Sequence, residues 1–281
     1  MRALVVSPHP DDEVLGAGAT LCTLQNQGWA VRNLACTLGR PADRERRLME
    51  LSEATLRMNF DNRIMDPLAA LSGTDDLEAG ARAVQAAVLT QIDDFKPTIV
   101  VATHPHDGHH AHEATGRGVA AAVKERPHVT WWMWSLWSDL PVPSLYVPVG
   151  HHQLDTVLHA LEAHAGELKR NDYATLYRSR ARMNAMLGTE RVLGFGSSTA
   201  DTRPFAELLS EVKWTETGWD LGPPRILDSA NPLSISGNWR PCDDLIEAAS
   251  PRTLMSRRNN SPTSAAHHSL VSQNRSPTGS S

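Results

Sequence analysis

Between His9 and Glu13 the chain reads His-Pro-Asp-Asp-Glu, which sets one imidazole beside three carboxylates. Far along the sequence, Asp107-Gly108-His109-His110-Ala111-His112 adds three more imidazoles and another carboxylate. Imidazole nitrogen and carboxylate oxygen together suit a borderline divalent cation. Catalytic sites of that kind take three protein ligands and leave a position for water. His9 and Asp12 can turn toward one ion from a single loop. Asp11, pointing elsewhere on an extended backbone, is placed to reach the water as a general base. The third ligand is expected from the second group. His109 and His112 stand three apart and share a face if a helix has begun there. One would bind the ion and the other face a reacting carbonyl, and spacing does not choose between them. A bland reading competes: Asp11, Asp12 and Glu13 would also complement the positive end of a following helix. Two such groups on one chain favour the metal site.

Each group follows an apolar run, Ala3-Leu4-Val5-Val6 before the first and Ile99-Val100-Val101-Ala102 before the second. Strand-like and helix-like patterns alternate through this half of the chain, which predicts βαβ units, a mostly parallel sheet and a Rossmann-like three-layer α/β/α fold. Strands are expected at 3–7, 30–36, 63–65, 99–101 and 129–136. Helices are expected at 14–26, 44–58, 77–95, 109–124, 153–161 and 173–187, with a short helix at 205–212. In such sheets chemistry collects beyond the carboxyl ends of the strands, where both groups fall. The spacing assigns residues 1–233 to one domain and 234–281 to a tail. After about Ser234 periodicity is lost, and from Ser250 the chain is rich in Ser, Asn, Arg, Pro and Thr, too polar to offset its ordering entropy, so the tail 234–281 is expected to be disordered.

Composition narrows the function classes. A formal net charge of −5 argues against a nucleic-acid footprint. Three cysteines, Cys22, Cys36 and Cys242, have no paired spacing, which fits a reducing, cytoplasmic setting without a disulfide framework. No apolar stretch approaches the roughly 20 residues that span a bilayer. A nucleotide-binding module is disfavoured because the first loop lacks Gly-x-Gly-x-x-Gly and its aspartates would repel a pyrophosphate.

His9-Pro10-Asp11-Asp12-Glu13, followed by a second loop of the His-x-x-His type, resembles the LmbE/PIG-L superfamily of zinc-dependent N-deacetylases. The family's second motif, His-Pro-Asp-His followed by Gly-Arg, reads here His109-His110-Ala111-His112 with Gly116-Arg117. The outer histidines stand, and His-Ala replaces the inner Pro-Asp, removing a possible partner that orients a ligand histidine. Position by position, the resemblance implies His9, Asp12 and His112 as metal ligands. It makes Asp11 the base and His109 the group that stabilises the tetrahedral intermediate. Zn²⁺ is the implied ion, with Fe²⁺ or Co²⁺ tolerated by the same donors. Weaker matches are the Thr37-Leu38-Gly39 turn, Arg47 in Arg-x-x-Glu-Leu, Asp66 after the third strand, and Trp137 at the end of an aromatic strand. These imply substrate contacts from Arg47, Asp66 and Trp137.

The implied activity is removal of acetyl or another acyl group from the amine of an N-acylated amino sugar or small glycoside. Rivals are an amidase acting on a thiol conjugate or an antibiotic, and a non-catalytic carbohydrate-binding relative. Structural roles compete with these. Arg47 could be a solvated charge beside Glu50, and Asp66 could cap a turn before Pro67. Most tryptophans of the 131–137 run are expected in the core, and Cys36 in its strand. His104, His106 and His110 are read as loop residues, and His151, His152, His159 and His164 as surface.

Overall fold

A strand that is apolar on both faces has to be sandwiched between helices, and this requirement sets the architecture. The computed structural model describes residues 1–199, 201–228, 230–233 and 237–248. Five strands, β1 (Arg2–Ser7), β2 (Ala30–Ala35), β3 (Asp61–Ile64), β4 (Ile99–Thr103) and β5 (Thr130–Trp134), lie in the order β3-β2-β1-β4-β5. All of these pairings are parallel. An antiparallel extension follows, made of β6 (Leu145–Val149), β7 (Phe205–Thr215), β8 (Gly218–Leu221), β9 (Arg225–Ile226) and β10 (Arg240–Pro241). The middle of β7 runs antiparallel to β5, its first half pairs with β6, and its end pairs with β8.

The helices are α1 (Asp12–Leu15), α2 (Gly18–Asn26), α3 (Arg44–Arg57), α4 (Leu77–Phe95), α5 (His110–Glu125), α6 (His151–Leu161), α7 (Ala165–Leu168), α8 (Tyr173–Leu193) and α9 (Asp243–Glu247). Side chains alternate across the sheet. Ala3, Val5, Ile99, Val101, Trp132 and Trp134 therefore pack with residues of α2, α6 and α8. Leu4, Val6, Val100, Ala102, Trp131 and Met133 pack with α4 and α5. The result is three layers with a core on each face of the sheet. β2 and β3 lie to one side of β1, and β4 and β5 to the other. The loops after β1 and β4 therefore diverge, opening a crevice where such sheets bind ligands. No helix among the described residues is long and apolar enough to cross a membrane.

Several elements differ from their sequence pattern. The expected helix at 14–26 is two helices. A Cβ on Gly16 would sit 2.4 Å from the buried Trp134 ring. The chain turns there, and α2 begins afresh with Glu207 accepting the Ala19 and Thr20 N–H groups at 3.1 and 2.7 Å. The segment 205–212 is a strand, not a short helix. Phe205, Leu208, Leu209 and Val212 mimic helical spacing, but a strand packed on both faces buries all four. Strand β6 carries Pro148, which disguises it. Within the expected tail of 234–281, residues 237–248 contribute β10, paired with β8, and α9; the rest of it, 234–236 and 249–281, lies outside the described residues.

Candidate metal centre

The turn after β1 is built on an unusual backbone. Asp11 has φ 112° and ψ −28°, a region that costs energy for any residue bearing a Cβ. A neighbouring carboxylate holds it there: Glu13 Oε2 accepts the Asp11 N–H at 2.9 Å. Asp12 turns the other way. Its Oδ2 accepts the His9 main-chain N–H at 2.9 Å and lies 3.2 Å from His9 Nδ1 and 3.3 Å from His112 Nε2.

The second group arrives from β4. His109 is still extended (φ −111°, ψ 131°), and α5 starts at His110, which puts His112 in its first turn. Rings of His9, His109 and His112 meet with centroids 5.0 to 5.6 Å apart. One nitrogen from each lies within 4.8 Å of the others. Trp137 closes one side, stacked on His109 at 5.5 Å with an interplanar angle of 23° and 49% exposed. The two loops therefore converge, bringing together His9, Asp11, Asp12, His109, His112 and Trp137.

Asp107, unread as a site residue in the sequence, is the hub of the second loop. It is fully buried, and its Oδ2 accepts from His112 Nδ1 at 2.8 Å. Oδ1 accepts from Ser135 Oγ at 2.5 Å and from the Leu136, Trp137 and Ser138 N–H groups at 3.0 to 3.2 Å. The orienting carboxylate missing between His109 and His112 is thus supplied from two residues upstream of His109. Its signal was present: an Asp at the start of a His-rich loop, with Gly108 at φ 82° turning the chain back toward it.

Electrostatics separate the two adjacent aspartates. Burial pushes the Asp11 carboxyl well above its ordinary range, reinforced by the charges of Asp12, Glu13 and Glu167 and opposed by Arg47. Burial would raise Asp12 as well, but the His112 charge and hydrogen bonds from His112 and His9 hold it far below the carboxylate range. Burial lowers His112 on its own, yet Asp12 and Asp107 on either side push it up to about 10. Burial also lowers His9, outweighing Asp12. One carboxyl is therefore proton-avid while its neighbour stays ionised, an acid–base pair separated by environment.

The remaining predicted positions scatter. Arg47 is buried rather than solvated, and it binds Glu167, not Glu50. Its guanidinium lies against the Thr37–Gly39 turn, where Gly39 at φ 74° has no room for a Cβ, 2.6 Å from Arg47 Nη1. Asp66 is exposed at the end of β3 on the same rim of the sheet, joined to Pro67 by a cis peptide bond. Trp131, Trp132 and Trp134 are core residues and Cys36 is buried, as expected. His151, His152 and His159 are exposed. His104 is buried rather than a surface-loop residue, its Nε2 3.2 Å from Ser138 Oγ. His164 is also buried. The corner between α6 and α7 folds over α1 and sets His164 Nε2 2.7 Å from Glu13 Oε1.

Residues 4–123 match the family model described as GlcNAc-PI de-N-acetylase, PIG-L. This stretch, under half of the chain, is similar to the PIG-L family. Both loops of the site lie inside the matched residues 4–123, whereas Trp137, His164 and Glu167 lie beyond them. The chain is similar to a 1D-myo-inositol 2-acetamido-2-deoxy-alpha-D-glucopyranoside deacetylase of Mycolicibacterium vanbaalenii. Identity is 31% over 165 residues, covering 46% of this chain and 58% of that protein. A probable N-acetyl-alpha-D-glucosaminyl L-malate deacetylase of Bacillus cereus is 32% identical over 141 residues, covering 45% of this chain and 62% of the relative. The alignments thus span about three-fifths of these relatives' own lengths. Among solved structures, an A40926 pseudoaglycone deacetylase superposes with TM-score 0.58 at 20% identity, covering 80% of this chain and 98% of that one. At that identity the likeness establishes the three-layer fold.

Proposed function

We propose that the chain is a metal-dependent hydrolase that removes acetyl, or another acyl group, from the amine of an N-acylated amino sugar or small glycoside conjugate. The observation that carries this reading is the convergence of Asp11, Asp12 and three imidazoles where the strand order reverses. Both relatives are described as deacetylases of amino-sugar conjugates, which supports the substrate class.

The donor set fits a divalent cation. His9, Asp12 and His112 offer two imidazoles and a carboxylate whose Oδ2 already lies within 3.3 Å of both rings. Asp107 occupies Nδ1 of His112, which turns Nε2 toward Asp12. Zn²⁺ is the ion we assign, with Fe²⁺ or Co²⁺ as alternatives. Bound there, it would polarise the amide carbonyl and acidify a water. Asp11, kept proton-avid by burial, takes the proton as the water attacks and passes it to the leaving amine. His109 faces the carbonyl oxygen and donates to it as negative charge develops. Trp137, stacked on His109 and half exposed, offers a ring face to the sugar. Three free cysteines support placing the reaction in a reducing, cytoplasmic compartment.

Elemental analysis beside an amine-release assay on N-acetyl glycosides tests the reading. Wild type should carry about one zinc or iron per chain. Asp11→Ala should keep the metal and lose turnover, whereas His112→Ala should lose both. A wild type that takes up no metal would sink the hydrolase, and equal metal loss in both variants would sink the division of roles.

A further inference from the structure

The residue proposed as base sits in a strained backbone conformation, so something must hold it there. No side chain caps α1. The Asp11 N–H goes to Glu13 Oε2 at 2.9 Å, and the other oxygen of that carboxylate accepts from His164 Nε2 at 2.7 Å. Glu13 and His164 are both 0% exposed and stand 151 residues apart. Burying such a pair costs desolvation, and apolar residues of similar volume could fill the same space. What apolar residues cannot do is accept the Asp11 N–H.

His164 is itself fixed. Its N–H donates to the Leu161 carbonyl at 3.0 Å, and its carbonyl accepts from the Glu167 and Leu168 N–H groups at 3.0 Å. The same corner delivers Glu167 to Arg47, Nη2 to Oε1 at 2.6 Å, and Arg47 is one of the charges that bear on both His9 and Asp11. The corner lies outside residues 4–123.

We infer that His164 is a positioning residue which, through Glu13, holds Asp11 in the backbone conformation that aims its carboxylate at the attacking water. The assignment rests on the hydrolase reading for its chemistry. It separates the site into two supports. Asp107 orients the ion's histidine, while Glu13 and His164 orient the base, so removing His164 should spare the metal.

The experiment compares His164→Leu, His164→Gln and Glu13→Gln with wild type by three measurements: bound Zn²⁺ per chain, hydrogen exchange of the Asp11 amide, and kcat and KM for amine release. In His164→Leu, zinc should stay at the wild-type level. The Asp11 amide should exchange about tenfold faster. Turnover should drop about 100-fold with KM within about twofold, the signature of a misplaced group rather than lost binding. A Gln at position 164 can present an N–H to Glu13, and His164→Gln should recover most of both losses. Glu13→Gln keeps an oxygen for the Asp11 N–H. It should fall between wild type and His164→Leu, and it serves if His164→Leu does not fold. Wild-type kcat and Asp11 exchange in His164→Leu would overturn the inference, as would zinc lost in step with kcat. If wild type releases no amine from any N-acyl glycoside, the hydrolase reading fails, and the amide exchange still decides whether His164 holds Asp11.

Discussion

Replacing Asp107 by alanine removes one carboxylate and strands several donors at once. The His112 Nδ1 bond at 2.8 Å and the Leu136 and Trp137 N–H bonds at 3.0 Å all lose their acceptor. Trp137 is half exposed and its N–H can turn to water, but Leu136 and His112 are buried. An orphaned buried donor costs about 1–3 kcal/mol, and breaking a buried ion pair about 3–5 kcal/mol. The contributions overlap, so a loss of about 3–5 kcal/mol is expected for the metal-free protein. For a domain of this size each kcal/mol moves Tm by about 2–4 °C, which places the variant roughly 10 °C below wild type. Loss of a carboxylate that orients a ligand histidine should also weaken Zn²⁺ binding about 10- to 100-fold. Near-ultraviolet circular dichroism on heating the metal-free protein, followed by calorimetric Zn²⁺ titration, measures both. A Tm within about 2 °C of wild type, with unchanged zinc affinity, would refute the role given to Asp107.

Trp137→Ala removes an aromatic face worth about 0.5–1.5 kcal/mol, so KM for an N-acetyl glycoside should rise about two- to tenfold with kcat largely kept; an unchanged KM would remove Trp137 from the sugar site. Glu167 is pushed up by burial but held below its ordinary 4.5 by the hydrogen bond and charge of Arg47, with help from Arg170 and Arg46. A depressed carboxyl stabilises the fold above its unfolded value and loses that contribution as pH falls through the folded one. The Tm gap between wild type and Glu167→Gln should therefore be full at neutral pH and close below 4.5, and a gap constant with pH would count against it. Gly16→Ala would put a methyl 2.4 Å from a buried Trp134 ring, and overpacking of that kind costs about 1–3 kcal/mol, readable as a lower denaturant midpoint; an unchanged midpoint would show that the ring yields.

Local chemistry reads well from a sequence when it is consecutive. His9, Asp11 and Asp12 sit on one turn, and the apolar runs before each loop marked β1 and β4, so the site's place at the sheet's carboxyl edge was legible. What was not legible depends on pairing across the chain. The 205–212 segment has helical spacing because a strand buried on both faces needs no alternation. His164 looked like a surface residue on a polar stretch, since nothing near it in sequence names Glu13 as its partner. Asp107 was visible as a residue but not as the hub of a loop it meets some thirty positions later, at Leu136–Ser138. Arg47 stands out in the sequence by its motif, and the structure adds the buried carboxylate that claims its guanidinium.

Strand β7 also bears on how the protein is made. Its Glu207 accepts the N–H groups that open α2, directly behind the Asp11 turn, although the two lie 187 and 188 residues apart. During synthesis both histidine loops emerge early, and the strand that caps α2 leaves the ribosome much later. Contacts of such long range form slowly and after local ones. The nascent N-terminal stretch must therefore wait, its acidic turn unbraced until His164 is available and α2 uncapped until Glu207 is. A chain cut after residue 123 would keep every proposed ligand and still lack both Glu207 and His164.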